Sequence, residues 1–156
     1  MKYLYLSAAL MALVGCQSNR QSVQENEIAQ AAPSNSATLV EQIKRFPPRY
    51  PITQAKAGKQ GCATVEYVIT PKNEVSDVKV LDASHADFAK EAQAVVSKWR
   101  WQQLPDDAIT VPTKIQTRFE FCLAARKGQC DMEKLVAKTQ CRGTEDVMAS
   151  IGMKVR

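Results

Sequence analysis

The chain has 156 residues, 45% of them hydrophobic and 24% charged, with a formal net charge of +5; that length suits one small domain with short extensions. It holds five cysteines and one histidine and no Cys-x-x-Cys pair, which argues against a zinc site. There is also no Ser/His/Asp order, no glycine-rich phosphate loop, no carboxylate pair with a placed partner and no spare thiol beside a base, so neither an enzyme nor a cofactor or small-molecule substrate is expected.

Met1 and Lys2 precede an apolar run, Tyr3 to Gly15, that ends in Leu13-Val14-Gly15-Cys16. The run is shorter than the roughly 20 residues of a membrane-crossing helix, and residues 1–15 read as a secretory signal. The Leu-Val-Gly-Cys ending resembles a bacterial lipobox, which implies cleavage before Cys16 and membrane attachment through acylation of that residue. Gln17 is not the aspartate that resembles an inner-membrane retention signal. The implied address is therefore the periplasmic face of the outer membrane, with the inner membrane as the less favoured alternative. Export removes nucleic acid from the partners that a basic chain would otherwise suggest.

Residues 17 to about 36 are mainly Gln, Ser, Asn, Glu and Ala, the composition of a solvated linker. From Ala37 to Phe46 the positions Leu39, Val40, Ile43 and Phe46 fit a short amphipathic helix, so residues 16–46 form a lipid-anchored linker ending in one helix. Pro47, Pro48 and Pro51 then impose an extended approach to the domain at 47–123. Within that domain, Cys62 to Thr70 alternates Ala63, Val65, Tyr67 and Ile69 with Cys62, Thr64, Glu66 and Val68, the period of a strand with one buried face. Thr70-Pro71-Lys72-Asn73-Glu74 is a turn, with Asn73 suited to positive φ. Val75 to Ala83 returns as a second strand, giving a hairpin.

Ser84-His85-Ala86-Asp87 fits an N-cap region. The helix after it carries Phe88, Ala92, Val95, Val96 and Trp99 on one stripe that can lie on the hairpin. Trp99 reads as core, Trp101 as half exposed at a partner site, and His85 as a surface loop residue. After the loop Gln102 to Pro112, a third strand, Thr113 to Leu123, places Ile115, Thr117, Phe119 and Phe121 against Lys114, Gln116, Arg118 and Glu120. The fold class is α+β, a β-β-α-β domain. A right-handed crossover sets the third strand beside the first and antiparallel to it, in spatial order two-one-three. The third strand is then an edge whose unpaired N–H and C=O groups along Thr113 to Phe121, at Thr113, Ile115, Thr117 and Phe119, can accept an extended peptide.

With Cys16 lipidated, four cysteines remain, and an even number in an oxidising compartment reads as two bridges. Facing Cys62 with Cys122 across the antiparallel strands also faces Glu66 with Arg118, Val65 with Phe119 and Ile69 with Ile115; Cys130 is left to Cys141. Residues 124–156 form a disulfide-stapled tail with a helix over Asp131 to Gln140 and a second short helix over Thr144 to Ile151. Lys56, Lys59, Arg100, Lys114 and Arg118 read as a solvated basic face able to meet acidic surfaces.

The string from Pro48 to Phe121 resembles the C-terminal domain of the TonB energy transducers. The matching pieces are Pro48-Arg49-Tyr50-Pro51, Gly61-Cys62-Ala63-Thr64-Val65-Glu66-Tyr67-Val68-Ile69-Thr70-Pro71, Val75-Ser76-Asp77-Val78-Lys79-Val80 and Ala94-Val95-Val96-Ser97-Lys98-Trp99-Arg100-Trp101; Asn73 replaces the family's common turn glycine. The resemblance implies that the edge-strand peptide is the N-terminal box of a TonB-dependent outer-membrane receptor, or its plug, and that Arg49, Tyr50 and Pro51 through Gln54 help contact it. The transducers of that family carry an inner-membrane helix coupled to a proton-driven motor and a long proline-rich span. Here a cleavable signal and a tether of about 30 residues, reaching roughly 100 Å, stand instead. The expectation is an envelope lipoprotein that binds partners in support of outer-membrane transport. An inner-membrane energy transducer and a structural envelope scaffold are the alternatives.

Overall fold

The computed structural model describes residues 29–30, 39–124, 130–143 and 146–154. The signal segment and Cys16 lie outside the described residues. In chain order the elements are β1 (Ala29–Gln30), α1 (Ile52–Lys56), β2 (Gly61–Ile69), β3 (Val75–Ala83), α2 (Ala86–Val96), a 3-10 turn at Trp101–Gln103, β4 (Thr113–Ala124), α3 (Met132–Thr139) and β5 (Val147–Met153). The β-β-α-β centre is present as its alternation predicts. Among the described residues the sheet has five strands rather than three: the order is β1-β4-β2-β3, with β5 also paired to β4.

The inward residues Ala63, Val65, Tyr67 and Ile69 of β2 and Ile115, Phe119 and Phe121 of β4 are all buried, each large side chain contributing about 1.5–3 kcal/mol by leaving water. Against them lies the α2 stripe of Phe88, Ala92, Val95 and Val96, with Phe88 and Phe121 in contact at 4.6 Å between centroids. His85 caps α2 through Nδ1, which accepts from the Asp87 N–H at 3.1 Å. Trp99 is core as expected. Trp101 is core too, only 2% exposed, contrary to its expected half exposure: the 3-10 turn folds it inward beside Tyr67, where its indole N–H donates to the Val96 carbonyl at 2.9 Å.

The hairpin turn places Asn73 at φ 58°, as its residue type suggests. β3 then departs from plain alternation. Its register against β2 slips between Thr64 and Val65 and again between Glu66 and Val68, with Asp77 at φ 50°. These bulges insert one extra residue each and turn Val75, Val78, Val80 and Ala83, spaced three, two and three, onto one face, where all four pack against the core.

The helix expected from Ala37 to Phe46 is much shorter. Helical structure among the described residues ends at residue 41, because the Lys44 N–H donates to the Gln103 side chain at 3.0 Å instead of to a preceding turn. Val40 and Ile43 are nonetheless in the core, while Phe46 is 43% exposed and offers its carbonyl to the Trp99 indole N–H at 2.8 Å.

β2 and β4 are antiparallel neighbours as expected, but two residues out of the expected register. Cys62 faces Glu120, Ala63 faces Phe119, Val65 faces Thr117 and Tyr67 faces Ile115. Cys62 and Cys122 are therefore not opposite each other, and the bridges are Cys62–Cys141 and Cys122–Cys130 rather than Cys62–Cys122 and Cys130–Cys141. The Glu66–Arg118 pair is lost for the same reason: Glu66 meets Lys114 at 3.6 Å and accepts from Gln116 at 3.0 Å.

The two bridges hold α3 at both ends over the sheet face opposite α2. Arg118, expected on a solvated surface, is 3% exposed beneath it and Glu120 is fully buried. The guanidinium donates to Glu120 at 2.6 Å, to Val136 O at 3.0 Å, to Thr139 Oγ1 at 3.1 Å and to the Cys141 carbonyl. It thus adds donors at the C-terminal end of α3, where Val136 O also receives the Gln140 N–H at 3.3 Å, and puts a cation where the helix dipole favours one. The Thr64 hydroxyl donates to the Arg142 carbonyl, and the Arg142 N–H to Asp82 at 3.2 Å. This second cover explains why the outward residues Cys62, Thr64 and Val68 are buried as well.

Candidate partner-binding edge

The tail does not end in a second helix. Val147–Met153 is β5, and it lies parallel to β4 on the side away from β2, pairing Arg118 with Val147, Phe119 with Met148, Phe121 with Ser150 and Leu123 with Gly152. β1 pairs in parallel with Thr113 and Lys114 further down the same side, so part of the expected linker joins the sheet. The edge expected to be open along Thr113 to Phe121 is therefore largely occupied by this chain itself; among the described residues only Ile115 to Thr117 lack a strand there. The side chains of Thr113, Ile115, Thr117 and Phe119 face the core and are at most 8% exposed.

Three contacts fix β5 in register. At its start the Asp146 carboxylate accepts from Arg45 at 2.6 Å and from the Thr117 hydroxyl at 2.6 Å, and Thr117 also meets the Tyr67 hydroxyl at 3.0 Å. The Asp146 carbonyl receives the Arg118 N–H at 2.8 Å. Arg45 in turn lies 5.3 Å from the Trp99 ring. Midway, the Ser150 hydroxyl donates to the Pro48 carbonyl at 2.8 Å. Near the end, Gly152 packs under Tyr50 so closely that a Cβ there would stand 2.5 Å from the ring. The opposite face of β5 leaves Val147, Ile151 and Met153 exposed.

The residues Arg49 to Gln54 are brought to this place, but not as a free contact surface. Tyr50 meets Phe88 and Phe121 edge-on and donates its hydroxyl to the Lys59 carbonyl; burial pushes its pKa up to about 12. Pro51 is buried, and Gln54 is 8% exposed, its amide bonded to Asp87 at 2.9 Å. The Thr53 hydroxyl and then Gln54 hold the Asp87 carboxyl below its usual range. Arg49 remains exposed. Asp146, Ser150 and Gly152 were not picked out from sequence, although Val147 to Met153 does set Met148, Ser150 and Gly152 against Val147, Ala149, Ile151 and Met153 at strand period.

A hairpin, one packed helix and a returning strand that takes a further strand on its open side make up the centre of the fold. Residues 47–123 match the family model of the Gram-negative bacterial TonB protein C-terminal, and the chain carries a domain of the TonB C-terminal family over those residues. Among solved structures, the solution structure of the Pseudomonas aeruginosa TonB C-terminal domain is 25% identical, with a TM-score of 0.44, over 55% of this chain and 90% of that one. The TonB2 protein from Vibrio anguillarum is 21% identical, with a TM-score of 0.39, over 76% of this chain and 97% of that one. No curated protein matches the chain. Domains of this family are periplasmic and interact with TonB-dependent receptors.

Proposed function

We propose that this protein is an envelope lipoprotein, acylated at Cys16 and held at the periplasmic face of the outer membrane, whose TonB C-terminal domain binds N-terminal segments of TonB-dependent receptors in support of outer-membrane transport. The observation that supports this is the parallel strand along Arg118–Ala124: β4 offers a backbone ladder and a set of side-chain anchors that an extended peptide fits. Titration of the oxidised protein lacking residues 1–16 with receptor plug domains and N-terminal box peptides tests it calorimetrically. Saturable binding is expected; a folded protein that binds none contradicts receptor recognition. Acyl labelling that disappears in Cys16→Ser tests the anchor, and labelling that persists excludes it.

A structural scaffold is the second reading, favoured by the same strand being supplied from within the chain. Under it, the domain is closed and every receptor segment fails to bind.

A further inference from the structure

We propose that β5 is an exchangeable occupant of a peptide site on β4, and that its contacts spell out the segment this site accepts: an acidic residue, then Ser or Thr four positions on, then glycine two positions after that. This deepens the receptor-binding proposal and rests on it for the identity of the natural partner, but not for the site itself.

β5 follows the last disulfide, Cys62–Cys141, so α3 stays stapled if β5 departs. Gly143, at φ +79°, lies in the connection between them. The anchors are few and each is selective. Asp146 meets the Arg45 guanidinium and the Thr117 hydroxyl, so a cation or an apolar group in its place leaves a largely buried arginine, with its side chain 13% exposed, without its partner. Ser150 is 2% exposed with its hydroxyl on Pro48 O, a position that takes a small donor. Gly152 faces Tyr50 at a separation that excludes any Cβ. The outward positions Val147, Ile151 and Met153 are 38%, 56% and 80% exposed and place no comparable demand on sequence. Among the described residues β3 pairs only with β2, and it has two bulges and outward Asp77 and Lys79, features that discourage strand addition.

An intramolecular strand on a short connection competes at an effective concentration of the order of millimolar. The intact chain therefore masks the site against weak peptides and yields it to a segment that meets the same three demands with added contacts.

The test uses the full oxidised chain and a labelled peptide of residues 146–154. Gly152→Val in the chain dislodges its own β5; the peptide is then expected to bind this variant at least tenfold tighter than the unsubstituted chain, and the same peptide carrying Gly152→Val or Asp146→Lys to lose at least tenfold. Asp146→Lys in the chain loosens β5 from its other end and is expected to expose the site likewise. Equal binding to variant and parent, no binding to a folded variant, or unfolding of both variants overturns the proposal, since an exchangeable strand must be able to leave a folded domain. Because no receptor is involved, peptide exchange without receptor binding leaves the site standing and removes only the partner class.

Discussion

Arg118 makes more hydrogen bonds to the tail than any other side chain described, reaching Val136, Thr139, Cys141 and Gly143. It is buried with Glu120 and caps α3, so Arg118→Ala takes the cation from a buried carboxylate still held by the Thr139 hydroxyl and takes the guanidinium from the Cys141 and Gly143 carbonyls. A loss of about 3–5 kcal/mol is expected in urea denaturation, whereas Lys114→Ala, which removes a partly exposed pair with Glu66, is expected to cost at most about 1 kcal/mol. Equal effects would contradict the buried network. Tyr50 gives a pH signature at the other end of the site. Its pKa is raised from 10.0 to about 12 by burial, so its contribution is full below pH 10 and lost as pH rises through about 12. Phenolate absorbance should show Tyr50 ionising later than an exposed tyrosine, and later than Tyr50 in the Gly152→Val chain if the contact with β5 supplies part of that burial. Asp87 works in the opposite direction: its lowered pKa means that the tie from α1 to α2 is present at neutral pH and lost as pH falls through that lowered value.

At the scale of elements, the hairpin, α2 and β4 follow from period and capping residues, and they form where those signals place them. Register does not follow, because side chains alternate with period two and a slip of two residues keeps every inward residue inward. Facing Cys62 with Cys122 selected one of the two equivalent registers, but the tail supplies competing partners for both sulfurs. A better signal was Gly61: it faces Phe121, and a Cβ there would stand 2.4 Å from Phe88, so the glycine marks where the two phenylalanines stack. The two bridges span 79 and 8 residues and stabilise by about 4.5 and 2.5 kcal/mol in the chain-entropy model. Mass spectrometry of proteolysed oxidised protein should recover the Cys62–Cys141 and Cys122–Cys130 peptides. Double substitution of Cys62 and Cys141 by serine should lower stability more than that of Cys122 and Cys130; the reverse order would contradict the model's loop lengths as the main cause.

At the scale of the whole molecule, the centre of the fold was readable because strand alternation and the helical stripe mark its buried faces whatever they pack against. The outer cover was not. Arg118 and Glu120 are charged residues on an outward strand face, which ordinarily means solvent, and only a tail more than ten residues further on makes them interior. The short helix expected over Thr144 to Ile151 failed similarly: Val147 and Ile151 fit a helix stripe as well as a strand, and pairing with β4 decided between them. The result is a sheet covered on both faces, with the side of β4 away from β2 largely filled by its own chain. Native-state hydrogen exchange on the oxidised protein tests this most directly. If β5 is an exchangeable occupant, its amides and those of β4 that face it exchange through a local opening while β2 stays protected. Exchange of β5 only together with β2, in one global unfolding, would make it a fixed part of the sheet and close the edge to any partner strand.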